Sequence, residues 1–92
     1  QYSLEQNYPN PFNPVTTIRF GLPEESRVTL NIYNVLGQTV GTLTNGINPA
    51  GYQEVQWNAF NVSSGIYFYR IDASSTTSNK SFTKISKMIL LK

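Results

Sequence analysis

Apolar and polar residues alternate along much of this chain, and no stretch shows the period of an amphipathic helix. In residues 27–33, Val28, Leu30 and Ile32 alternate with the polar residues Thr29 and Asn31. Successive side chains of a strand point to opposite faces, so this spacing predicts a strand with one buried face. The alternation therefore restricts the fold to architectures built from strands.

The same pattern, interrupted by turn-forming residues, predicts six strands. They cover residues 16–22, 27–33, 38–44, 52–58, 66–71 and 81–92, the last being the final strand. An extended, Asn- and Pro-rich opening segment, residues 1–14, is counted as a seventh. Short strands at this spacing indicate an all-β fold, an immunoglobulin-like antiparallel β-sandwich of about seven strands. We expect one domain over residues 1–92.

Two aromatic residues fit particular positions of such a sandwich. Trp57 alternates with Val55 on the inward face of its strand, so we expect it in the core. Tyr67 comes two residues after Gly65, where a tyrosine corner would lie at the start of a central strand.

The turns are predicted from glycine, asparagine and proline. Gly37 is expected to adopt a positive φ in a hairpin turn. Val40 and Leu43 are three residues apart, which indicates a bulge in their strand. Surface loops are predicted over residues 45–51 and over the polar stretch 72–80.

Within the opening segment, residues 7–14 form a sequence that we name the clasp. Pro9, Pro11 and Pro14 exclude a helix, since each fixes its own φ and restricts the residue before it. Tyr8 and Phe12 give this stiff segment side chains with which to anchor to a folded domain. We therefore expect the clasp to lie extended on the sandwich, with few ladder hydrogen bonds.

Composition argues against catalysis. The chain has no histidine and no cysteine, so the usual general bases and soft metal ligands are missing. The five carboxylates are dispersed, and Glu24 and Glu25 are expected in a solvated turn. A calcium site would have to be built from Asp72 and loop oxygens, and a single carboxylate is few for a calcium ion. We expect no catalytic residue, no cofactor and no metal.

The charge pattern limits the partners. Seven basic and five acidic residues give a net charge of +2 without a basic stripe, so we expect no nucleic-acid partner. No apolar run is long enough for a transmembrane segment. The chain begins with Gln1, and we interpret it as a piece of a longer precursor whose export signal lies outside it. A monomer is expected.

Taken together, the motifs resemble the type A C-terminal sorting domain of the bacterial type IX (Por) secretion system. The resemblance extends over nearly the whole chain. It is carried by residues 4–14, 28–34 and 36–40, by Ala50-Gly51 and Trp57, by Ser64-Gly65-Ile66-Tyr67-Phe68-Tyr69-Arg70, and by the ending Lys87-Met88-Ile89-Leu90-Leu91-Lys92.

This resemblance implies a non-catalytic address label at the end of a secreted protein. Its partners would be an upstream cargo domain in cis, the outer-membrane type IX translocon and a sortase-like protease that removes the label. It would fold in the periplasm during transit and take its cargo to the cell surface or the extracellular medium. The resemblance suggests sorting-motif candidates in two groups: Asn7, Pro9, Asn10, Pro11, Phe12, Asn13 and Pro14; and Gly65, Tyr67, Lys87, Met88, Leu90 and Lys92.

Two hypotheses remain for the last strand. Either a translocon component adds a strand beside it and reads Lys87 and Lys92, or residues 88–91 complete the core while the lysines protect an edge. An alternative function is an immunoglobulin-like accessory module of a secreted enzyme, either a cell-attachment or spacer domain or a carbohydrate binder. A carbohydrate binder would display aromatic rings, for which the candidates are Tyr52, Trp57, Phe60, Tyr67 and Tyr69. Burial of these rings as core residues is the simpler interpretation.

Overall fold

A computed structural model describes the whole chain, residues 1–92. Seven strands follow one another and there is no helix, so none that could cross a membrane. The strands are β1 Ser3–Leu4, β2 Val15–Leu22, β3 Ser26–Tyr33, β4 Thr39–Asn48, β5 Gly51–Asn58, β6 Gly65–Ser75 and β7 Ser81–Leu90.

The strands form two sheets that face each other. One sheet has the order β1-β2-β5 and the other has the order β4-β3-β6-β7. All strand pairings are antiparallel. The predicted antiparallel β-sandwich of seven strands is confirmed.

The core lies between the two sheets and is built from the inward-facing residues of the alternating strands. Ile18 and Phe20 of β2 and Leu30 of β3 are fully excluded from solvent and belong to one buried core. Phe12 of the clasp joins this core, with its ring centroid 5.8 Å from that of Trp57. Burying a large apolar side chain contributes roughly 1.5–3 kcal/mol, so the clasp is part of what holds the sandwich together.

The observed β4 and β6 are longer than predicted. Asn45 and Gly46 lie inside β4, opposite Thr29 and Val28, and β6 continues to Ser75. Both strands pair with β3 over its whole length, because its backbone groups need partners on either side. The loop predicted at residues 45–51 therefore shortens to residues 49–50, and the loop predicted at 72–80 shortens to residues 76–80.

The other differences are at the ends of the chain. The seventh strand is Ser3–Leu4, whereas the clasp makes only isolated bridges, through Tyr8 and Phe12. The last strand ends at Leu90 instead of residue 92. The Tyr8–Pro9, Asn10–Pro11 and Asn13–Pro14 peptide bonds are cis.

The turn between β3 and β4 agrees with its sequence. Gly37 has a φ of 83°, as predicted. The side-chain oxygen of Asn34 accepts hydrogen bonds from the backbone N–H groups of Leu36 and Gln38. The predicted bulge is also present, as two shifts of register between β3 and β4.

Replacing Phe12 by alanine should lower the free energy of unfolding by about 3–5 kcal/mol, because it empties a buried aromatic site beside Trp57. Phe12→Leu should cost less because it keeps most of the volume. Urea denaturation followed by circular dichroism would measure both changes.

The matched control is Tyr8→Ala, since Tyr8 lies in the same clasp and is 80% exposed. We expect that substitution to change stability by less than about 0.5 kcal/mol. An equal loss for Phe12→Ala and Tyr8→Ala would contradict the anchoring role of Phe12.

Candidate functional site

The opening segment first runs antiparallel to β2. Leu4 pairs with Phe20, and further along Tyr8 pairs with Thr17 through two backbone hydrogen bonds of 2.9 Å. The opening segment advances four residues between these two pairs, from Leu4 to Tyr8, whereas β2 advances only three, from Phe20 to Thr17. The extra residue makes the segment bulge at Gln6 and Asn7, which turns Asn7 toward the interior.

Asn7 is a buried polar residue whose hydrogen-bonding groups have partners. Its side-chain Nδ2 donates to the Thr16 hydroxyl at 3.0 Å and to the Pro9 carbonyl at 3.1 Å. The Thr16 hydroxyl in turn donates to the same Pro9 carbonyl at 2.9 Å. Asn7 and Thr16 therefore fix the turn of the clasp from inside, which explains why polar residues occupy these buried positions.

Tyr69 of β6 connects the opening segment to the four-stranded sheet. Its hydroxyl donates to the Glu5 carbonyl at 2.8 Å and accepts from the Asn7 N–H at 2.9 Å. The side chain is fully buried. Burial raises the pKa of Tyr69, and the hydrogen bonds from Asn7 and Ser86 oppose that shift only in part.

The clasp then crosses to the edge of β7. Phe12 forms a parallel bridge with Leu90, in which its N–H donates to the Ile89 carbonyl and its carbonyl accepts from Leu91, both at 3.0 Å. The side chain of Asn10 accepts a hydrogen bond of 2.9 Å from the Ile89 N–H. The clasp is thus bonded to both sheets, through Tyr8 on one and Phe12 on the other.

The last strand divides its side chains between the core and the surface. Met88 and Leu90 are fully buried, whereas Lys87 is exposed. Lys92 is also exposed, its N–H donating to the Ser64 hydroxyl and its ammonium to the Phe60 carbonyl. A partner of the folded domain can therefore touch Lys87 and Lys92, but not the side chains of Met88 or Leu90.

Gly65 and Tyr67 lie at the start of β6. The Tyr67 hydroxyl donates to the Ser63 carbonyl at 2.6 Å, four residues upstream, as the predicted tyrosine corner requires. Gly65 has a φ of 150°, a conformation that side-chain-bearing residues rarely adopt. Both residues therefore shape the corner at which β6 begins. From this corner β6 pairs with the end of β7, Gly65 opposite Leu90 and Tyr67 opposite Met88.

Of the sequence-predicted candidates, the structure brings together the clasp and the second half of β7. Pro11 and Asn13 are exposed, and Pro14 is half-buried where the clasp enters β2. The predicted sorting-motif candidates did not include Gln6, Thr16 or Tyr69, whose hydrogen bonds hold the opening segment in place. The sequence contained one indication of this network: Tyr69 occupies an inward-facing position of an alternating strand, and a buried tyrosine hydroxyl needs a hydrogen-bonding partner.

The aromatic rings do not form an open platform. Trp57, Tyr67 and Tyr69 are buried, with Trp57 packed edge-on against Tyr67 at 5.4 Å. Tyr52 and Phe60 are exposed, but the Arg19 guanidinium lies 4.1 Å from the centroid of the Tyr52 ring. The arrangement favours the interpretation of most of these rings as core residues.

The carboxylates serve local structure. Glu24 and Glu25 are not merely solvated: they accept hydrogen bonds from Ser78 and Thr76 of the β6–β7 loop. Hydrogen bonds from Ser75 and Ser78 lower the pKa of Glu24. Asp72 pairs with Arg70, with an Nε to Oδ2 distance of 3.0 Å. No three acidic side chains come together as metal ligands.

Tyr69→Phe should lower the free energy of unfolding by about 1–3 kcal/mol, because it leaves the buried Asn7 N–H without an acceptor. Tyr33→Phe is the matched control, since the Tyr33 hydroxyl is only partly buried and lies 3.5 Å from its partner, Asn31. Urea denaturation of the two variants should separate them, and equal stabilities would contradict the role of the Tyr69 hydroxyl.

The raised pKa of Tyr69 also predicts a dependence on pH. Above pH of about 10, tyrosine loses its proton in the unfolded chain while Tyr69 keeps it in the folded domain. The folded state then binds more protons, so its stability falls as pH rises through this range. Subtracting the Tyr69→Phe stability curve from the wild-type curve isolates this component, and a flat difference above pH 10 would show that Tyr69 contributes none.

Comparisons with known proteins agree with this architecture. A family model described as a secretion system C-terminal sorting domain matches residues 6–86, which include the clasp, Gly65 and Tyr67 and stop just before Lys87. No curated protein matches the sequence significantly.

Two solved structures are similar in fold. CopC from Methylosinus trichosporium OB3b has a TM-score of 0.62 and 13% identity, with 98% of this chain and 93% of that chain covered. PorZ, a bacterial surface component of the type-IX secretion system of Porphyromonas gingivalis, has a TM-score of 0.55 and 23% identity. The match covers 99% of this chain but only 11% of PorZ.

The likeness to CopC supports an immunoglobulin-like sandwich, and at these identities both structures bear on the fold alone. The family is shown by the match over residues 6–86. The chain belongs to the Por secretion system C-terminal sorting domains, non-catalytic modules that target a cargo protein for type IX secretion to the cell surface or medium.

Proposed function

We propose that this chain is a type A sorting label that folds in the periplasm while its cargo is in transit. The outer-membrane type IX translocon recognises the folded label, and a sortase-like protease removes it from the cargo. The family match supports interaction with the secretion machinery and an upstream cargo domain.

We place recognition at the end of β7. The observation that carries this choice is the separation of its side chains: Met88 and Leu90 are buried in the core, while Lys87 and Lys92 are exposed. The buried pair holds the strand and therefore Lys87 in place, while Lys92, two residues beyond the strand, is held by its bonds to Ser64 and Phe60. Lys87 makes no salt bridge within the domain, which leaves its ammonium available to a carboxylate of a partner.

Because buried and exposed residues alternate at the end of β7, recognition has to be tested by substitution and not by deletion. Deleting residues 87–92 would remove Met88 and Leu90 from the core and unfold the domain, so a loss of export would say nothing about recognition. Substitution of the exposed charges avoids this difficulty. Surface substitutions away from buried groups usually change stability by less than about 0.5 kcal/mol.

The test is export of a cargo fused to residues 1–92 that carry Lys87→Gln and Lys92→Gln. We expect binding to the translocon to weaken by roughly tenfold for each lost charge-assisted contact, at about 1.5 kcal/mol each. Secretion of the cargo should fall accordingly, as measured by the amount in the medium or on the cell surface.

The control variant carries Arg27→Gln and Lys80→Gln, which removes the same two positive charges from exposed positions elsewhere. We expect this variant to be exported like the unmodified fusion. Equal export of the two double variants, with both domains folded, would exclude Lys87 and Lys92 as recognition residues.

A further inference from the structure

β7 is an edge strand whose free side is only partly open. It pairs with β6 alone, so alternate residues turn their backbone N–H and C=O groups away from the sheet. Lys87 and Ile89 are two of these residues, because their backbone groups bond to the opening segment. By alternation, the outward-facing backbone groups of β7 belong to Ser81, Thr83, Ile85, Lys87 and Ile89.

The opening segment caps the second half of this edge. Gln6 donates to the Lys87 carbonyl at 2.9 Å, Asn10 accepts from the Ile89 N–H, and Phe12 bonds to Ile89 and Leu91 on both sides. These are the backbone groups that an added strand would engage. No such hydrogen bond covers the outward backbone groups of the first half, at residues 81–85.

The cap is an incomplete strand. Pro9, Pro11 and Pro14 have no N–H, so the clasp cannot form a continuous ladder along β7. Two contacts of the opening segment with β7 come from side chains instead of the backbone: those of Gln6, which precedes the clasp, and of Asn10. A regular strand would satisfy the same groups of β7 with its own backbone and would also pair with residues 81–85.

The position of the Phe12 side chain indicates which side chain an incoming strand needs. Its side chain is buried against Trp57 at the place where the clasp meets β7, and displacing it would leave a cavity beside the core. An incoming strand that fills this space needs a large apolar side chain at the corresponding position. The site beside Trp57 is thus a pocket that the domain fills with its own Phe12 side chain.

We propose that the clasp occupies, within the same chain, the edge at which a protein of the export machinery binds. The partner replaces it with an extended strand that pairs with β7 and inserts a large apolar side chain where Phe12 now lies. This inference rests on the proposed function, because it describes how the last strand is recognised. Binding then requires the clasp to detach from β7.

A disulfide between the clasp and β7 tests this requirement. The parallel bridge of Phe12 with Leu90 places the next residues, Asn13 and Leu91, side by side, and both are exposed. The variant Asn13→Cys/Leu91→Cys therefore locks the clasp without altering a core residue. Fused to cargo and oxidised, it should be exported no better than cargo without the domain, while each single-cysteine variant is exported normally.

The matched control is a disulfide elsewhere in the sandwich. Asn31 and Thr42 are opposite each other on β3 and β4, and their side chains are hydrogen-bonded at 2.8 Å. Asn31→Cys/Thr42→Cys should be exported normally when oxidised. If both disulfides block export, the cross-link itself is the obstacle and the proposal fails.

The outcomes separate this inference from the function on which it rests. Normal export of the oxidised Asn13→Cys/Leu91→Cys fusion would overturn the displacement of the clasp while leaving the sorting role intact. If the unmodified domain does not improve export of the cargo, the proposed function itself fails.

Hydrogen exchange supplies a second measurement on the purified domain. Asn10→Ala removes the acceptor of the Ile89 N–H, so the Ile89 amide should exchange faster. The Met88 amide, which faces β6, should be unchanged. Unaltered exchange at Ile89 would show that the clasp does not protect this edge, and would also overturn the proposal.

Discussion

The position of the opening segment depends on the buried hydroxyl of Tyr69. This group accepts from the Asn7 N–H and donates to the Glu5 carbonyl, so it holds the chain within the bulge and just before it. A buried hydroxyl without partners lowers the stability of the fold, and so does a buried N–H without an acceptor. The Tyr69 hydroxyl and the Asn7 N–H therefore each require the other. Once Asn7 is fixed, the clasp turns so that Phe12 reaches Trp57 and Asn10 reaches the edge of β7.

A sorting domain of this kind needs a surface that another protein can recognise, not a cleft in which chemistry occurs. The polar side chains here are used locally: Glu24 and Glu25 hold a loop, and Asp72 pairs with Arg70. The sandwich is thus a scaffold, and our proposal places the groups that a partner recognises along the β7 edge. This division agrees with the non-catalytic role of the family.

Much of the sandwich could be predicted because its strands alternate strictly. Val28, Leu30 and Ile32 specify a one-sided strand, and Trp57 and Tyr67 identify two positions within the fold. The extents of β4 and β6 could not be predicted in this way, because Asn45, Gly46 and the polar residues after Asp72 favour turns. Pairing with β3 on both sides overrides that local preference.

The site was predicted less completely than the fold. The clasp was recognised from its prolines and aromatic residues, but its contact with β7 joins residues 79 positions apart and leaves no local pattern. The partners of Tyr69 were equally hidden, since a tyrosine within an alternating strand resembles any other core aromatic.

The distance along the chain between Asn10 and Ile89 has a consequence for synthesis. The ribosome makes Asn10 and Phe12 long before the last strand, so the clasp has no edge to bind until β7 has also been made. A product terminated early, or one whose final strand is damaged, carries the clasp without its partner. Closure of the clasp on β7 therefore occurs only in a chain that has been made through β7, and a fragment that stops before this strand cannot close it.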